Sequence, residues 1–287
     1  MVETAVTELP ESFGMLSYDF EKLSSLEILN LGRNNFSSPQ ASLRGLSLLK
    51  KLLLPHCKKL KALPPLPSSL EEVDAANCIS LESISDISNL ENLVMMNLTS
   101  CEKVVDIPGL ECLKSLVRLY ASGCTACSSA IKKRLARSYM KKISNLSMPR
   151  SKMPDWFSQD VVTFSERKNC VLKSVIIGVV VSLNQQIPDD IREELPAIVD
   201  ILGQILKLDF PTFTSALILL GVPNTNEDQV HLCRYPIDHP LVSQLKDGYK
   251  INVMRKEPPM MKGVELKKRG SIWSMKVMMI MRETKNH

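Results

Sequence analysis

Residues Leu23-Ser24-Ser25-Leu26-Glu27-Ile28-Leu29-Asn30-Leu31-Gly32-Arg33-Asn34 place apolar side chains at offsets 0, +3, +6 and +8 and an asparagine at +11. The spacing returns at Leu46, Leu49, Leu52, Leu54 and Cys57, and in degenerate form at Pro67, Leu70, Val73, Ala75 and Cys78. It returns again at Leu90, Leu93, Met96, Leu98 and Cys101, and at Leu113, Leu116, Leu119, Ala121 and Cys124. The steps are 23, 21, 23 and 23 residues, so one unit repeats through residues 23–127 and decides how this half of the chain folds.

The +6 and +8 residues alternate along a short strand and point inward, while +5, +7 and +9 point outward. A small polar residue at +11 serves the turn that leaves the strand: asparagine by bonding backbone, reduced cysteine by filling the same slot. One such unit cannot bury its apolar face alone, so the units must stack. The pattern is that of a leucine-rich repeat, and the class it predicts is an α/β leucine-rich-repeat solenoid followed by an all-β domain. The outward positions then form a concave face suited to binding a protein. The residues expected to carry such binding are Lys50, Lys51, His56, Glu71, Glu72, Asp74, Asn97, Arg118 and Tyr120. Val94, Met95 and Val117 lie on the same face. Leu63-Pro64-Pro65-Leu66-Pro67 falls on the opposite, convex side, where its prolines predict extended or 3₁₀ backbone.

The chain has 287 residues, enough for two domains, with 44% hydrophobic and 23% charged residues and a net charge of +5. That charge is too small to demand a nucleic-acid partner. The N-terminus has no apolar signal core. The longest aliphatic run, Val175–Val181, falls far short of the ~20 residues of a spanning helix. These features predict no membrane partner and a cytoplasmic protein, with the nucleus as the alternative. Of eight cysteines, Cys57, Cys78, Cys101 and Cys124 occupy the +11 slot and Cys127 the +14 position. They read as reduced core residues; Cys124-Thr-Ala-Cys127 lacks the second close pair that a zinc site needs. No metal or cofactor is expected. His56, His231, His239 and His287 are scattered, with no nucleophile motif beside them. Asp189-Asp190 and Glu193-Glu194 read as solvated. An enzyme is not expected.

Ser128–Arg150 holds seven basic residues and no acid, and Ile131, Leu135 and Tyr139 follow helical spacing. The favoured reading is a helix that caps the last repeat, and the competing one is a nucleic-acid or nuclear-import patch. Beyond it, short apolar runs at Val161–Phe164, Leu172–Leu183, Ile198–Leu208, Thr214–Val222, Val230–Tyr235, Tyr249–Met254 and Lys262–Lys268 predict strands of an antiparallel sandwich. The expected domains are repeats over 1–127, a basic helical linker over 128–147, a β domain over 148–272, and an aberrant tail over 273–287.

Several motifs together carry a family resemblance. Leu-Pro-Pro-Leu-Pro-Ser-Ser-Leu at 63–70 and the +11 cysteines resemble the C-terminal part of plant TIR–nucleotide-binding–leucine-rich-repeat immune receptors, relatives of the tobacco mosaic virus resistance protein N. Met153-Pro154-Asp155-Trp156-Phe157-Ser158, Val175-Ile176-Ile177-Gly178-Val179 and His231-Leu232-Cys233-Arg234-Tyr235 are similar to segments of the jelly-roll/Ig-like domain that follows their repeats. The resemblance implies a defence role: recognition of a pathogen effector or host protein by the concave face and the β domain. It also implies contact with a nucleotide-binding domain of the same receptor. No P-loop or TIR region is present in these 287 residues, so the chain reads as a truncated sensor. A stand-alone scaffold, adaptor or decoy is the alternative. The resemblance further implies an acidic tail, where this chain has Lys276–His287, KVMMIMRETKNH. That string is a one-base-shifted reading of one DNA spelling of EGDDDYEGDEES, so a frameshifted tail is expected.

Overall fold

The computed structural model describes residues 25–37, 43–135, 143–149, 162–166, 170–182, 197–221, 225, 227–256 and 275–283. They fall in two compact units, Met1–Ile143 and Ser144–His287. Tyr139, Met153–Ser158, Asp189, Asp190, Glu193, Glu194, Lys262–Lys268 and His287 lie outside the described residues.

In the first unit the repeat becomes a stack of strand-and-turn layers. The strands on one side are β1 (Ile28–Asn30), β2 (Lys51–Leu53), β4 (Glu72–Asp74), β6 (Met95–Asn97) and β7 (Arg118–Tyr120). All pair in parallel and in register, so Leu29, Leu52, Val73, Met96 and Leu119 form one row. That row is 0–1% exposed. A buried row of aliphatic side chains, each removing its surface from water at about 25 cal/mol per Å², holds the layers in sequence register. On the other side, β3 (Ala62–Leu63) and β5 (Ser83–Ile84) form a two-stranded parallel sheet, and 3₁₀ turns occupy Leu43–Gly45 and Leu110–Cys112.

A second periodicity lies in the turns. Arg33, His56, Asn77 and Ser100 have φ of 60–63°, and Gly123 has 79°. All five occupy offset +10. In this left-handed conformation the amides of Arg33, His56, Asn77 and Ser100 donate to Pro55, Ala76, Thr99 and Ser122 carbonyls of the next layer at 2.7–2.8 Å. These bonds offset the cost of about 1 kcal/mol for a side chain with positive φ.

The +11 residues close each layer. Asn34 Nδ2 donates to the Leu31 carbonyl at 3.0 Å. In the next layers the cysteine thiols reach back instead: Cys57 to Leu31, Cys78 to Leu54, Cys101 to Ala75 and Cys124 to Leu98, at 2.8–3.2 Å. All four are fully buried. Neighbouring thiols first, and burial second, push the Cys78 and Cys127 groups far above the ordinary thiol range, so they stay protonated.

Helix α1 (Ser128–Arg134) follows the last layer. Ile131 and Leu135 are buried, while Lys132 and Lys133 are exposed. Arg134 does not share that wet face. Its Nε and Nη2 donate to the two Asp106 carboxylate oxygens at 2.7 and 2.6 Å, and Nη1 donates to both Glu111 oxygens at 2.6 Å.

The second unit has two antiparallel sheets. One orders β8 (Asn145–Pro149), β13 (Gln229–Pro236), β10 (Cys170–Val181) and β15 (Met275–Glu283). The other orders β12 (Phe210–Leu220), β11 (Ala197–Lys207), β14 (Lys250–Arg255) and β9 (Val162–Thr163). Short helix α2 (Pro240–Ser243) places Leu241 and Val242 in a core shared with Val175, Ile177, Val179, Ile201, Ile205, Leu217, Leu219 and Ile251.

The α/β solenoid class expected from the sequence is overturned. The described residues contain only two α-helices, of seven and four residues. Both lie after the repeat strands, and all other regular structure is strand or 3₁₀ turn, in parallel and antiparallel sheets. A chain this strand-rich is mostly β. The physical reason is local: repeats of 21–23 residues leave little chain for a helical return. Pro64, Pro65 and Pro67 also lack the amide protons a helix would need. The C-terminal segment assigned to an aberrant tail contributes β15, whose residues from Met275 to Glu283 pair with β10 from Val179 back to Cys170.

Candidate functional site

The parallel register brings the outward residues of the five repeat strands into rows. Offset +5 supplies Ile28, Lys51, Glu72, Met95 and Arg118, and offset +7 supplies Asn30, Leu53, Asp74, Asn97 and Tyr120. Just before each strand, offset +4 adds Glu27, Lys50, Glu71, Val94 and Val117. The nine residues expected to bind are thus gathered on one face, except that His56 sits in the turn beyond the strand end.

Their chemistry is unequal. Lys50 Nζ pairs with Glu27 at 2.8 Å, and Lys51 Nζ pairs with Glu72 at 3.1 Å. The Glu27 contact also raises the affinity of the Lys50 amine for its proton. Glu71 remains exposed beside them. Asp74 and Asn97 turn inward to their own loops: Asp74 Oδ1 accepts from the Ala76 amide at 2.9 Å, and Asn97 Oδ1 accepts from the Thr99 amide at 3.1 Å and hydroxyl at 2.7 Å. Asn30 does the same toward Gly32. These are Asx turns, so the +7 carboxylate and amides shape the strand exit before they can meet a partner. Burial raises the Asp74 carboxyl above its ordinary value; the Ala76 amide opposes this and the Glu72 charge adds to it. His56 Nε2 lies 3.5 Å from Asn77 Nδ2 across adjacent layers. Tyr120 is 4% exposed and belongs to the core edge more than to the surface.

The face therefore has two parts. Across the first three repeats it is a lattice of paired charges. Across the last two it is half-buried Val94, Met95 and Val117 beside half-exposed Arg118. That mixture of apolar side chains with methionine and arginine is the composition enriched in the centres of protein interfaces. The apolar members were legible as +4 and +5 positions on the same face, but they were not among the nine residues expected to bind.

Of the other sequence candidates, His231 and His239 fall among the described residues. His231 is buried in β13, opposite Val179 and Ser147. Burial lowers its imidazole to about 4, so it is neutral. The His239 ring lies 4.7 Å from the Tyr235 ring, tilted by 57°, and its Nδ1 accepts from the Leu241 amide at 3.2 Å as the cap of α2. Among the described residues no group of three His, Cys, Asp or Glu side chains could hold a metal ion. Among them, too, no helix is long and apolar enough to cross a membrane.

No family model matches the chain. Stretches of it are similar to curated proteins of Arabidopsis thaliana. A probable disease resistance protein is 40% identical over 22% of this chain and 4% of its own length. Disease resistance-like protein DSC1 is 39% identical over 28% of this chain and 6% of its own length. A protein named as a putative disease resistance protein is 29% identical over 54% of this chain and 15% of its own length. The chain thus spans only a small fraction of the relatives it matches. Over part of its length, this chain is similar to plant disease resistance proteins.

Proposed function

We propose that this chain serves plant defence as a recognition module, and that the strand face of its repeats binds a protein, either a pathogen effector or a host protein. The observation that carries the reading is the in-register alignment of outward side chains across five parallel strands. It turns five short segments into one continuous surface, larger than any single loop could present. The apolar end at Val94, Met95 and Val117 supplies desolvation energy, and Arg118 a planar donor group. The paired charges at Glu27–Lys50 and Lys51–Glu72 set orientation and exclude wrongly charged partners. The action is binding without catalysis and needs no cofactor. By resemblance, the two units are the parts that follow the nucleotide-binding domain of a cytoplasmic TIR-type receptor, with intramolecular contact to that domain in the full-length protein.

The test is a binding screen of the full chain against candidate effectors and host proteins, followed by substitution. Met95→Lys and Arg118→Ala are expected to weaken a true partner about tenfold or more. Lys114→Ala, whose exposed side chain pairs with Glu91 at 3.5 Å, should change nothing. A partner that ignores Met95 and Arg118 but is lost with Lys114→Ala would overturn the assignment of the face.

A further inference from the structure

Backbone bonds fix the spacing of three successive layers on the strand face. The Glu71 carbonyl accepts from the Val94 and Met95 amides at 2.8 and 3.1 Å, and the Val94 carbonyl accepts from the Val117 and Arg118 amides, both at 3.0 Å. Glu71, Val94 and Val117 therefore stand in one row, with Met95 and Arg118 beside it.

Charge separates the two ends of this row. Lys50 and Lys51, in the layer before Glu71, are bonded to Glu27 and Glu72. Glu71 is exposed and forms no ion pair among the described residues, and its charge reaches the Lys50 amine only at longer range. Arg118 is half-exposed and likewise forms no ion pair among them. Between the two lie the half-buried side chains of Val94, Met95 and Val117. A carboxylate, an apolar step and a guanidinium thus follow one another across three layers.

The spacing suits one kind of segment. Paired strands lie about 4.8 Å apart, so the row from the Glu71 layer to the Arg118 layer spans about 10 Å. A helix presents i, i+3 or i+4, and i+7 on one face, in steps of about 4.5–6 Å and about 10.5 Å in all. An extended chain repeats one face every ~6.7 Å and falls out of step with the layers. The row is already held by its backbone bonds, so a helix can bind without reordering it.

We infer that the partner of this face is an amphipathic helix that seats an apolar side chain on Val94, Met95 and Val117, with a basic side chain before it facing Glu71 and a carboxylate beyond it facing Arg118. The inference rests on the protein-binding role proposed for the face and adds the chemistry of what binds there. The apolar contact supplies the desolvation, and Arg118 can take a carboxylate in two parallel bonds.

The test pans a displayed library of helical peptides, randomised along one face, on the full chain and on two surface variants, Glu71→Lys and Arg118→Glu. The wild-type chain should enrich peptides with one base and one acid flanking a central apolar residue, in either helix direction. Glu71→Lys leaves two cations on the row and should enrich two acids; Arg118→Glu leaves two anions and should enrich two bases. Soluble peptides selected on the wild-type chain should bind either variant, and Met95→Lys, about tenfold or more weakly. Peptides lost with Met95→Lys but carrying the same flanking charges on all three chains would overturn this inference and leave the binding face standing. Peptides indifferent to Met95→Lys, or no enriched peptide on the wild-type chain, would overturn the inference together with its choice of row.

Discussion

Replacing Gly109 by alanine tests the layer geometry most sharply. Gly109 has φ of +84°, and a Cβ there would stand 2.4 Å from the Ser88 amide nitrogen and 2.5 Å from Asp86 Oδ1. Those two atoms already bond each other at 2.8 Å in the turn of the preceding layer. Alanine at this φ costs about 1 kcal/mol in backbone strain. Displacing backbone that cannot rotate away adds about 1–3 kcal/mol of overpacking, and disturbing the Asp86–Ser88 bond adds about 1 kcal/mol. The total is about 3–5 kcal/mol, a large share of the roughly 5–15 kcal/mol by which a domain is stable. Two controls separate the parts. Gly248 has φ of +79° and nothing within 4 Å of its would-be Cβ, so Gly248→Ala isolates the strain. Gly45 has neither positive φ nor a close neighbour, so Gly45→Ala should be neutral or mildly stabilising. Hydrogen exchange read peptide by peptide by mass spectrometry measures each local opening energy in the intact chain. The expected order of damage is Gly109, then Gly248, then Gly45. Equal losses at Gly109 and Gly248 would refute the packing of Gly109 against the preceding turn.

Acid should weaken the second unit through His231. Its folded value of about 4 lies below the ordinary 6.5, so between those limits the unfolded chain takes a proton that the folded chain refuses. Stability then falls as pH drops from 6.5 toward 4, by about 3 kcal/mol at most, and His231→Gln should flatten that part of a denaturation-versus-pH profile. Arg134→Ala should raise hydrogen exchange in residues 127–135, whereas Lys132→Ala and Lys133→Ala should not, because only Arg134 reaches Asp106 and Glu111. Arg134 holds the Asp106 carboxyl below its usual range, and the Glu111 carboxyl is held down by its own amide and by Arg134. The clamp is therefore complete above ordinary carboxylate values and is lost as pH falls through the depressed ones. Among the cysteines whose burial is described, alkylation of the native chain should label exposed Cys112 quickly and spare buried Cys57, Cys78, Cys101, Cys124, Cys127 and Cys233. Rapid labelling of Cys101 without unfolding would contradict the buried thiol-to-carbonyl ladder.

Much of the repeat half could be read before any coordinates, since burial at +6 and +8 follows from alternation along a strand. The +11 cysteines were legible as core residues for the same reason. Their bonds to carbonyls of the preceding layer were not, because those partners lie 24–26 residues away and depend on how the layers superpose. The left-handed +10 positions were hidden because Arg33, His56, Asn77 and Ser100 share no side-chain type. Only the backbone bond each makes to the next layer unites them. Charge marked Lys50, Lys51, Glu71 and Glu72 as binding candidates, and Asp74 and Asn97 joined them by position. Spacing could not reveal that Asp74 and Asn97 serve their own turns, or that Lys51 is already paired with Glu72.

The sequence by itself determined which residues repeat, which face inward and which cysteines belong to the core, because periodic burial leaves a one-dimensional trace. Tertiary structure alone decided that Arg134 leaves the basic face for Asp106 and Glu111. It also decided that Met275–Glu283 completes a sheet beside Cys170–Val181. Each of these depends on groups brought together from distant points of the chain, and pairing energies of that kind leave no local pattern to read.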